Sequence, residues 1–203
     1  MNSFQKFITL FFPTRDVKIL ELRRINKEQG IEICDLKEKI EQINKDEPVK
    51  IQLYDEYIEE AIIENLNKSQ QEICIAMAWL TSEKVMKVLE NLNHNNISIK
   101  IIIDNNEKNR KVRLWNQCTE LKIADISTPY GKYKNLMHNK YCIIDKKIVI
   151  DGSYNWSNHA KYNLEHIIVI RDENVAKMYL DSFYKIYNNP RYFANYTISE
   201  DFI

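Results

Sequence analysis

The chain reads as an α/β protein: a mixed, largely parallel sheet flanked by helices, with a helical extension at its N-terminus. Three observations predict this. From about residue 55 to residue 187, short apolar runs alternate with amphipathic stretches of helical length. The run at 72–79 (EICIAMAW) is apolar almost throughout, as a strand covered on both faces requires. Residues 15–46 are heavily charged and carry Ile19, Leu22, Asn26, Gln29, Ile33, Leu36, Ile40 and Ile43 at strict 3-4 spacing, a coiled-coil seam with a polar middle.

The elements follow in order. Residues 1–47 form a helical or coiled-coil segment and 48–203 the folded body. The apolar stretch FQKFITLFFP at 4–13 is too short to span a bilayer and has no basic region ahead of it or small-residue cleavage site after it. It is read as a short buried helix, with membrane contact by residues 4–12 the less favoured reading. Residues 15–46 form one helix or a pair, because Gly30 costs about 1 kcal/mol in a helix interior. Asp46-Glu47-Pro48 ends that segment. In the body, helices are predicted at 55–67, 82–93, about 107–119 and 173–187. Strands are predicted at 72–79, 97–103, 121–126, 138–144, 147–151 and 164–170, with a Pro- and Gly-containing loop at 127–136.

At 203 residues, with 44% hydrophobic and 29% charged side chains, the chain can bury a full core. Cys34, Cys74, Cys118 and Cys142 form no CxxC pair, so zinc spacing is absent and reduced thiols in a cytoplasmic protein are expected. Net charge is zero, yet its distribution is uneven. Residues 51–107 carry 4 Lys+Arg against 10 Asp+Glu, and residues 108–162 carry 11 against 4. A positive face can therefore surround part of a neutral molecule, and Arg110, Lys111, Arg113, Lys132 and Lys134 are its candidates for binding nucleic acid.

The chemistry concentrates between His138 and Ser157. His138-Asn139-Lys140 is followed by four residues and Asp145, then by Gly152-Ser153-Tyr154-Asn155-Trp156-Ser157. A histidine can attack phosphorus when neutral and protonate a leaving oxygen when charged. A lysine is a point charge suited to phosphate, and Ser and Asn donate to developing negative oxygens. Side chains alternate along a strand, so His138 and Lys140 share a face, as do Ser153, Asn155 and Ser157 if that stretch is extended. Asp145 has the opposite parity to His138, which makes it a structural or turn carboxylate. Taken alone, a His-x-Lys is an exposed polar edge and a Gly-Ser a turn, but their joint spacing is poorly explained by chance.

These residues resemble the HxKxxxxD…GSxN signature of the phospholipase D superfamily, present here once. Asn163-Leu164-Glu165, opening the apolar run to Ile170, extends the likeness toward the small single-motif bacterial endonucleases of that superfamily, over roughly residues 50–190. The resemblance implies a phospholipase D-like fold and makes 48–203 the catalytic domain. It implies His138, Lys140 and Glu165 as catalytic residues, with Glu165 orienting His138. Lys140, Ser153 and Asn155 would hold phosphate, supported by Asp145 and Ser157. It further implies a phosphohistidine intermediate, no metal and no cofactor. That chemistry uses two histidines, so a single motif implies a homodimer sharing its site. The expected function is a metal-independent endonuclease acting on DNA or RNA. A phosphatidyl or cardiolipin hydrolase is the first alternative. A groove lined by aromatics beside Tyr130, Tyr133 and Trp156 could accept either substrate. A non-enzymatic scaffold working through 15–46, which could also engage a further protein partner, is the second alternative.

Overall fold

The computed structural model describes residues 15–43, 48–112, 115–126 and 135–193. The chain divides into two compact units, residues 1–48 and 49–203. In the first, α1 (Arg15–Ile43) is a single helix that runs through Gly30 without a break. Nothing approaches within 4 Å of where a Gly30 side chain would begin, and Leu22, Ile33 and Leu36 of the seam stand exposed. The run at 4–12 lies outside the described residues.

In the second unit, β1 (Lys50–Tyr54), β2 (Glu72–Met77), β3 (Ser98–Asp104), β4 (Glu120–Ala124), β5 (Lys140–Ile144), β6 (Ile148–Gly152) and β7 (Ile167–Arg171) form one sheet. Their order is β1-β7-β6-β5-β2-β3-β4. The sheet is mixed, as expected, but parallel pairing is confined to β2–β3 and β3–β4. The other four junctions are antiparallel. For β5 and β6 the reason is local. Asp145 and Lys146 adopt φ 51° and 58°, the doubly left-handed turn that folds β5 directly back onto β6.

Helices α2 (Ile58–Leu66) and α3 (Glu83–His94) cover one face, and α5 (Glu173–Tyr187) covers the other. Strand β2 shows why its run is continuously apolar: Ile73, Ile75 and Met77 enter one core, while Cys74 and Ala76 enter the other. Burial pushes the Cys74 and Cys118 thiols up to about 12, so both stay protonated. Cys142 is also buried, and Cys34 is exposed.

Three expectations change. Strand β1 is absent from the sequence reading; it is a short edge strand whose apolar Ile51 and Leu53 remain exposed. The strand expected at 164–170 begins only at Ile167, because its first rung is Gly152 opposite Ile167. The helix expected over 107–119 is one turn, α4 (Glu107–Arg110), followed by a 3-10 turn at Trp115–Gln117. Asparagine side chains divert the backbone there. Asn106 caps Lys108 and Asn109, while Asn109 bonds Leu80 N, Ala78 O and Asp104 O.

Candidate active site

The sheet positions the motif. β5 runs antiparallel to β2, with Lys140 opposite Met77, and β2 runs parallel to β3. The residues preceding β5 therefore meet the carboxyl ends of β2 and β3, the edge where open α/β sheets place their ligands. The carboxyl end of β6 reaches the same edge, since Asp151 lies opposite Tyr141.

His138 is exposed there, just before β5, and Lys140 is half-buried. Lys140 Nζ lies 3.2 Å from His138 Nε2 and donates to the His138 carbonyl at 2.9 Å. An ammonium can only donate, so the Nε2 it faces carries its lone pair toward it, leaving the ring proton on Nδ1. Trp79 walls the pair, its ring meeting the imidazole edge-on at 5.5 Å with Lys140 Nζ 5.8 Å from its centroid. Desolvation holds His138 below its ordinary pKa, the Lys140 charge adds to this, and Asp104 opposes both. Desolvation also lowers Lys140, against the pull of Glu165.

Gly152 has no freedom to be another residue. A Cβ there would stand 2.2 Å from the His166 carbonyl oxygen and 2.8 Å from Ile167 Cα. That close approach lets Ser153 N donate to His166 O at 3.1 Å, while Ser153 Oγ accepts from His166 N at 3.2 Å. Ser153 Oγ thus keeps its own proton for another acceptor. Asn155 Oδ1 is buried with no hydrogen-bond partner. A half-turn of the amide would present N–H donors at the same position. Trp156 is 1% exposed, and its carbonyl accepts from Thr81 N and Ser82 N, clamping the motif loop to the β2–α3 connection. The expectation that Trp156 lines a substrate groove is therefore corrected: it is a core residue. Ser157 N folds back onto Asn155 O at 2.8 Å, which takes Ser157 out of the extended run.

Asp145 is far from this edge, at the turn closing β5 onto β6. Its carboxylate accepts from Gln70 N and Gln71 N at 2.8 Å and Glu72 N at 3.0 Å. Glu165 accepts from Asn163 Nδ2 at 3.2 Å, and among the described residues no hydrogen bond joins it to His138. The expected Glu165–His138 contact is thus absent within one chain; the half-buried carboxylate acts on Lys140 through charge. Arg110 and Lys111 are exposed near this edge, and Arg110 Nε donates to Asn105 Oδ1 at 2.7 Å. Arg113, Lys132 and Lys134, with Tyr130 and Tyr133, lie outside the described residues. Lys146 and Lys147 pair with Glu72 and Glu173 around the hairpin turn, so part of the basic excess of 108–162 sits at the opposite edge.

Sequence reasoning missed Asp104. It is 1% exposed, accepts from Met137 N at 3.0 Å and from Asn106 Nδ2 at 3.1 Å, and so anchors the residue before His138. The available signal was its place at the end of a buried apolar strand, where a carboxylate needs partners. No group of three or more His, Cys, Asp or Glu among the described residues is placed to hold a metal ion. No helix among them is long and apolar enough to cross a membrane.

Comparison with known proteins bears on the family and the fold. A family model described as cardiolipin synthase, PLD-like domain, matches residues 62–187. The phospholipase D of Rickettsia typhi is 30% identical over 124 residues, covering 61% of this chain and 59% of that protein. The mitochondrial cardiolipin hydrolase of Canis lupus familiaris is 34% identical over 73 residues, 34% of this chain and 29% of that one. This chain spans no more than about three fifths of the length of these relatives. Among solved structures, NucT from Helicobacter pylori superposes with a TM-score of 0.62 at 21% identity, covering 70% of this chain and 97% of that one. Nuc from Salmonella typhimurium, a phospholipase D family member, gives 0.58 at 21% identity, covering 70% and 94%. These two likenesses concern the fold alone.

Proposed function

This chain belongs to the phospholipase D-like domain family, and from that premise we propose that it is a phosphodiesterase in which His138 attacks phosphorus. One observation carries the reading: His138 Nε2 sits 3.2 Å from Lys140 Nζ at an open sheet edge, with the imidazole held neutral by desolvation and by the lysine's charge. A neutral ring with its proton on Nδ1 has the Nε2 lone pair available for attack. An arriving phosphodiester draws Lys140 Nζ from Nε2 to a non-bridging oxygen. Ser153 Oγ–H and the Asn155 amide donate to the same oxygens as charge builds. The Nε2–P bond forms, the P–O bond to the leaving group breaks, and that oxygen takes a proton from a second histidine. Water then attacks phosphorus, gives up a proton to the same base, and the P–N bond breaks.

One motif supplies one such histidine, so the active unit is a twofold dimer in which the second His138, protonated to the imidazolium beforehand and favoured in that form by a carboxylate across the axis, is the acid. Glu165, which makes no bond to His138 of its own chain, remains available to its counterpart across that axis. The long helix α1 is a segment for joining subunits or a further protein partner, through its exposed seam.

Nucleic acid is the favoured substrate. The support is the basic excess of 108–162 and the exposure of Arg110 and Lys111 near the His138 edge. The second reading is a lipid phosphodiester, favoured by the names of the sequence relatives, phospholipase D and cardiolipin hydrolase. The test is the purified full chain in EDTA against single- and double-stranded DNA, RNA, and vesicles of phosphatidylglycerol or cardiolipin. Cleavage is expected without metal, with the substituted phosphoryl group trapped on His138 by an alkaline denaturing quench that preserves the P–N bond. His138→Asn should lose several orders of magnitude in rate. Near-normal turnover in that variant would refute the mechanism. Cleavage of the vesicles but of no polynucleotide would replace the nuclease reading with the lipid one.

A further inference from the structure

Helix α1 can join two copies of this chain or hold a different protein, and its heptads decide between them. Every described side chain of α1 is exposed. A 29-residue helix so placed draws little stability from packing, on which helices in water depend. Ile19, Leu22, Ile33 and Leu36 form one stripe, exposed by 37%, 60%, 53% and 50%. Arg24 Nε and Glu28 Oε1 pair at 3.1 Å on the outer face. The stripe therefore needs a partner that covers it.

The heptad positions say which partner. With Ile19 at position a, Asn26 and Ile33 also fall at a, and Leu22, Gln29 and Leu36 fall at d. The sequence continues the spacing with Ile40 at a and Ile43 at d. Branched Ile at a with Leu at d favours a parallel two-stranded coil, and a single Asn at a fixes its register. Buried in a coil, the Asn26 amide needs a donor and an acceptor opposite it. A second copy in register supplies both from its own Asn26.

The flanks agree with that register. In a parallel pair each g residue faces the e residue five places further along the other helix. Ile25 then lies over Gly30 of the partner subunit, and Glu32 meets Lys37 of the partner subunit. Glycine is costly within a helix. Nothing approaches within 4 Å of where a Gly30 Cβ would stand, and this is the room Ile25 requires. Lys18 against Arg23 of the partner subunit is unfavourable, at the start of the seam, and Ile31 stays off the seam at f.

We infer that α1 pairs in parallel and in register with α1 of a second copy of this chain, Asn26 against Asn26. Parallel helices end together, whereas antiparallel ones would part their ends by about 43 Å, the length of the helix. The coil thereby holds two catalytic units at an effective concentration of millimolar order. Only this last consequence rests on the phosphodiesterase reading, since a shared site needs two chains.

The test reads the coil without reading activity. The full chain carries Cys34→Ser, which removes the exposed thiol and leaves Cys74, Cys118 and Cys142 buried. Asn26→Cys is added, and the disulfide formed in a glutathione redox buffer is followed on non-reducing gels. Most chains are expected to cross-link in pairs, while Glu28→Cys, on the outer face, stays uncross-linked. Adding Glu32→Lys to Asn26→Cys should lower the effective concentration of the thiols about fivefold, and Lys37→Glu on top of it should restore them. Absence of the Asn26→Cys cross-link would overturn the coil. Equal cross-linking by Glu28→Cys would do the same, as the mark of loose proximity. Cross-linking only between Asn26→Cys and Gln29→Cys chains would mark antiparallel helices, and failure of Lys37→Glu to rescue would overturn the register.

Discussion

Asp145 is part of the motif by spacing and remote from the chemistry by geometry, and Asp145→Ala separates the two. Seven residues of extended chain put it roughly 20 Å from His138. In place it accepts from three consecutive amides, Gln70, Gln71 and Glu72, at 2.8, 2.8 and 3.0 Å. The first two amides are at the surface, where water replaces the carboxylate, so each loss costs about 0.5–1 kcal/mol. The third is partly buried and costs about 1.5 kcal/mol. Alanine must also adopt the φ of 51° that Asp tolerates, at about 1 kcal/mol. The expected destabilisation is about 3.5–4.5 kcal/mol, a fall in Tm of about 10–15 °C for a unit of this size. Asp145→Asn keeps the turn and one acceptor oxygen and should lose about half as much. Chemical denaturation gives the stability, and a single-turnover assay below the lowered Tm gives the rate of His138 phosphorylation. That rate should stay within about twofold of the unaltered chain. Unchanged stability with a rate lower by orders of magnitude would refute the structural assignment.

Other outcomes follow from the same structure. Gly152→Ala, with Cβ contacts of 2.2 and 2.8 Å to backbone, should force β6 from β7 and cost about 2–4 kcal/mol, read by denaturant melts. By NMR, His138 should titrate below its ordinary value, because its causes are desolvation first and Lys140 second. The acid limb of activity should therefore lie below the usual histidine range, since only protonation removes the lone pair. Lys140→Met should raise the His138 pKa only part of the way back, and a full return would mean desolvation plays no part. Mixing His138→Asn chains with intact chains should give hybrids far less active than intact dimers; full activity of the intact subunits at every ratio would exclude a shared site. Reversing Arg110 and Lys111 to Glu should weaken polynucleotide binding and lower its salt slope by about one for each phosphate no longer neutralised, leaving a small phosphodiester little affected.

What the sequence disclosed depended on the range of the interaction. Helix α5 was legible to the residue, because apolar periodicity and the Asp172 cap are local signals. The parity of Asp145 placed it away from His138 because strand alternation is local too. Sheet direction was less legible. The left-handed Asp145-Lys146 turn carries no Gly or Asn to announce it, and it makes β5 and β6 antiparallel neighbours. Strand β1 escaped because Ile51 and Leu53 stay exposed, leaving too short an alternation to separate from loop. Trp156 was misplaced for a different reason: a tryptophan beside a motif suits a groove or a core equally, and only its contact with the β2–α3 connection decides between them.

The placement of His138 rests on residues outside the motif. Two chain segments remote in sequence, 78–80 and 135–139, must be held side by side for Trp79 to wall the His138–Lys140 pair. Ala78 N donates to Asn139 O at 2.9 Å, while Asn106 and Asn109 both donate to Ala78 O. Asp104 completes the set, taking Met137 N on one oxygen and Asn106 on the other. The same buried carboxylate raises the His138 pKa that desolvation and Lys140 lower. It therefore fixes the position of the imidazole and limits how far its basicity falls, two requirements of a nucleophile that must stay neutral yet reactive. Asp104→Asn tests both at once. It keeps a partner for one donor and removes the charge, so the backbone before His138 should loosen while the His138 pKa drops further. Hydrogen exchange at Met137 N reads the first change and an imidazole titration reads the second. If exchange quickened without any change in the titration, Asp104 would be an anchor only, and the tuning of His138 would belong to Trp79 and Lys140 alone.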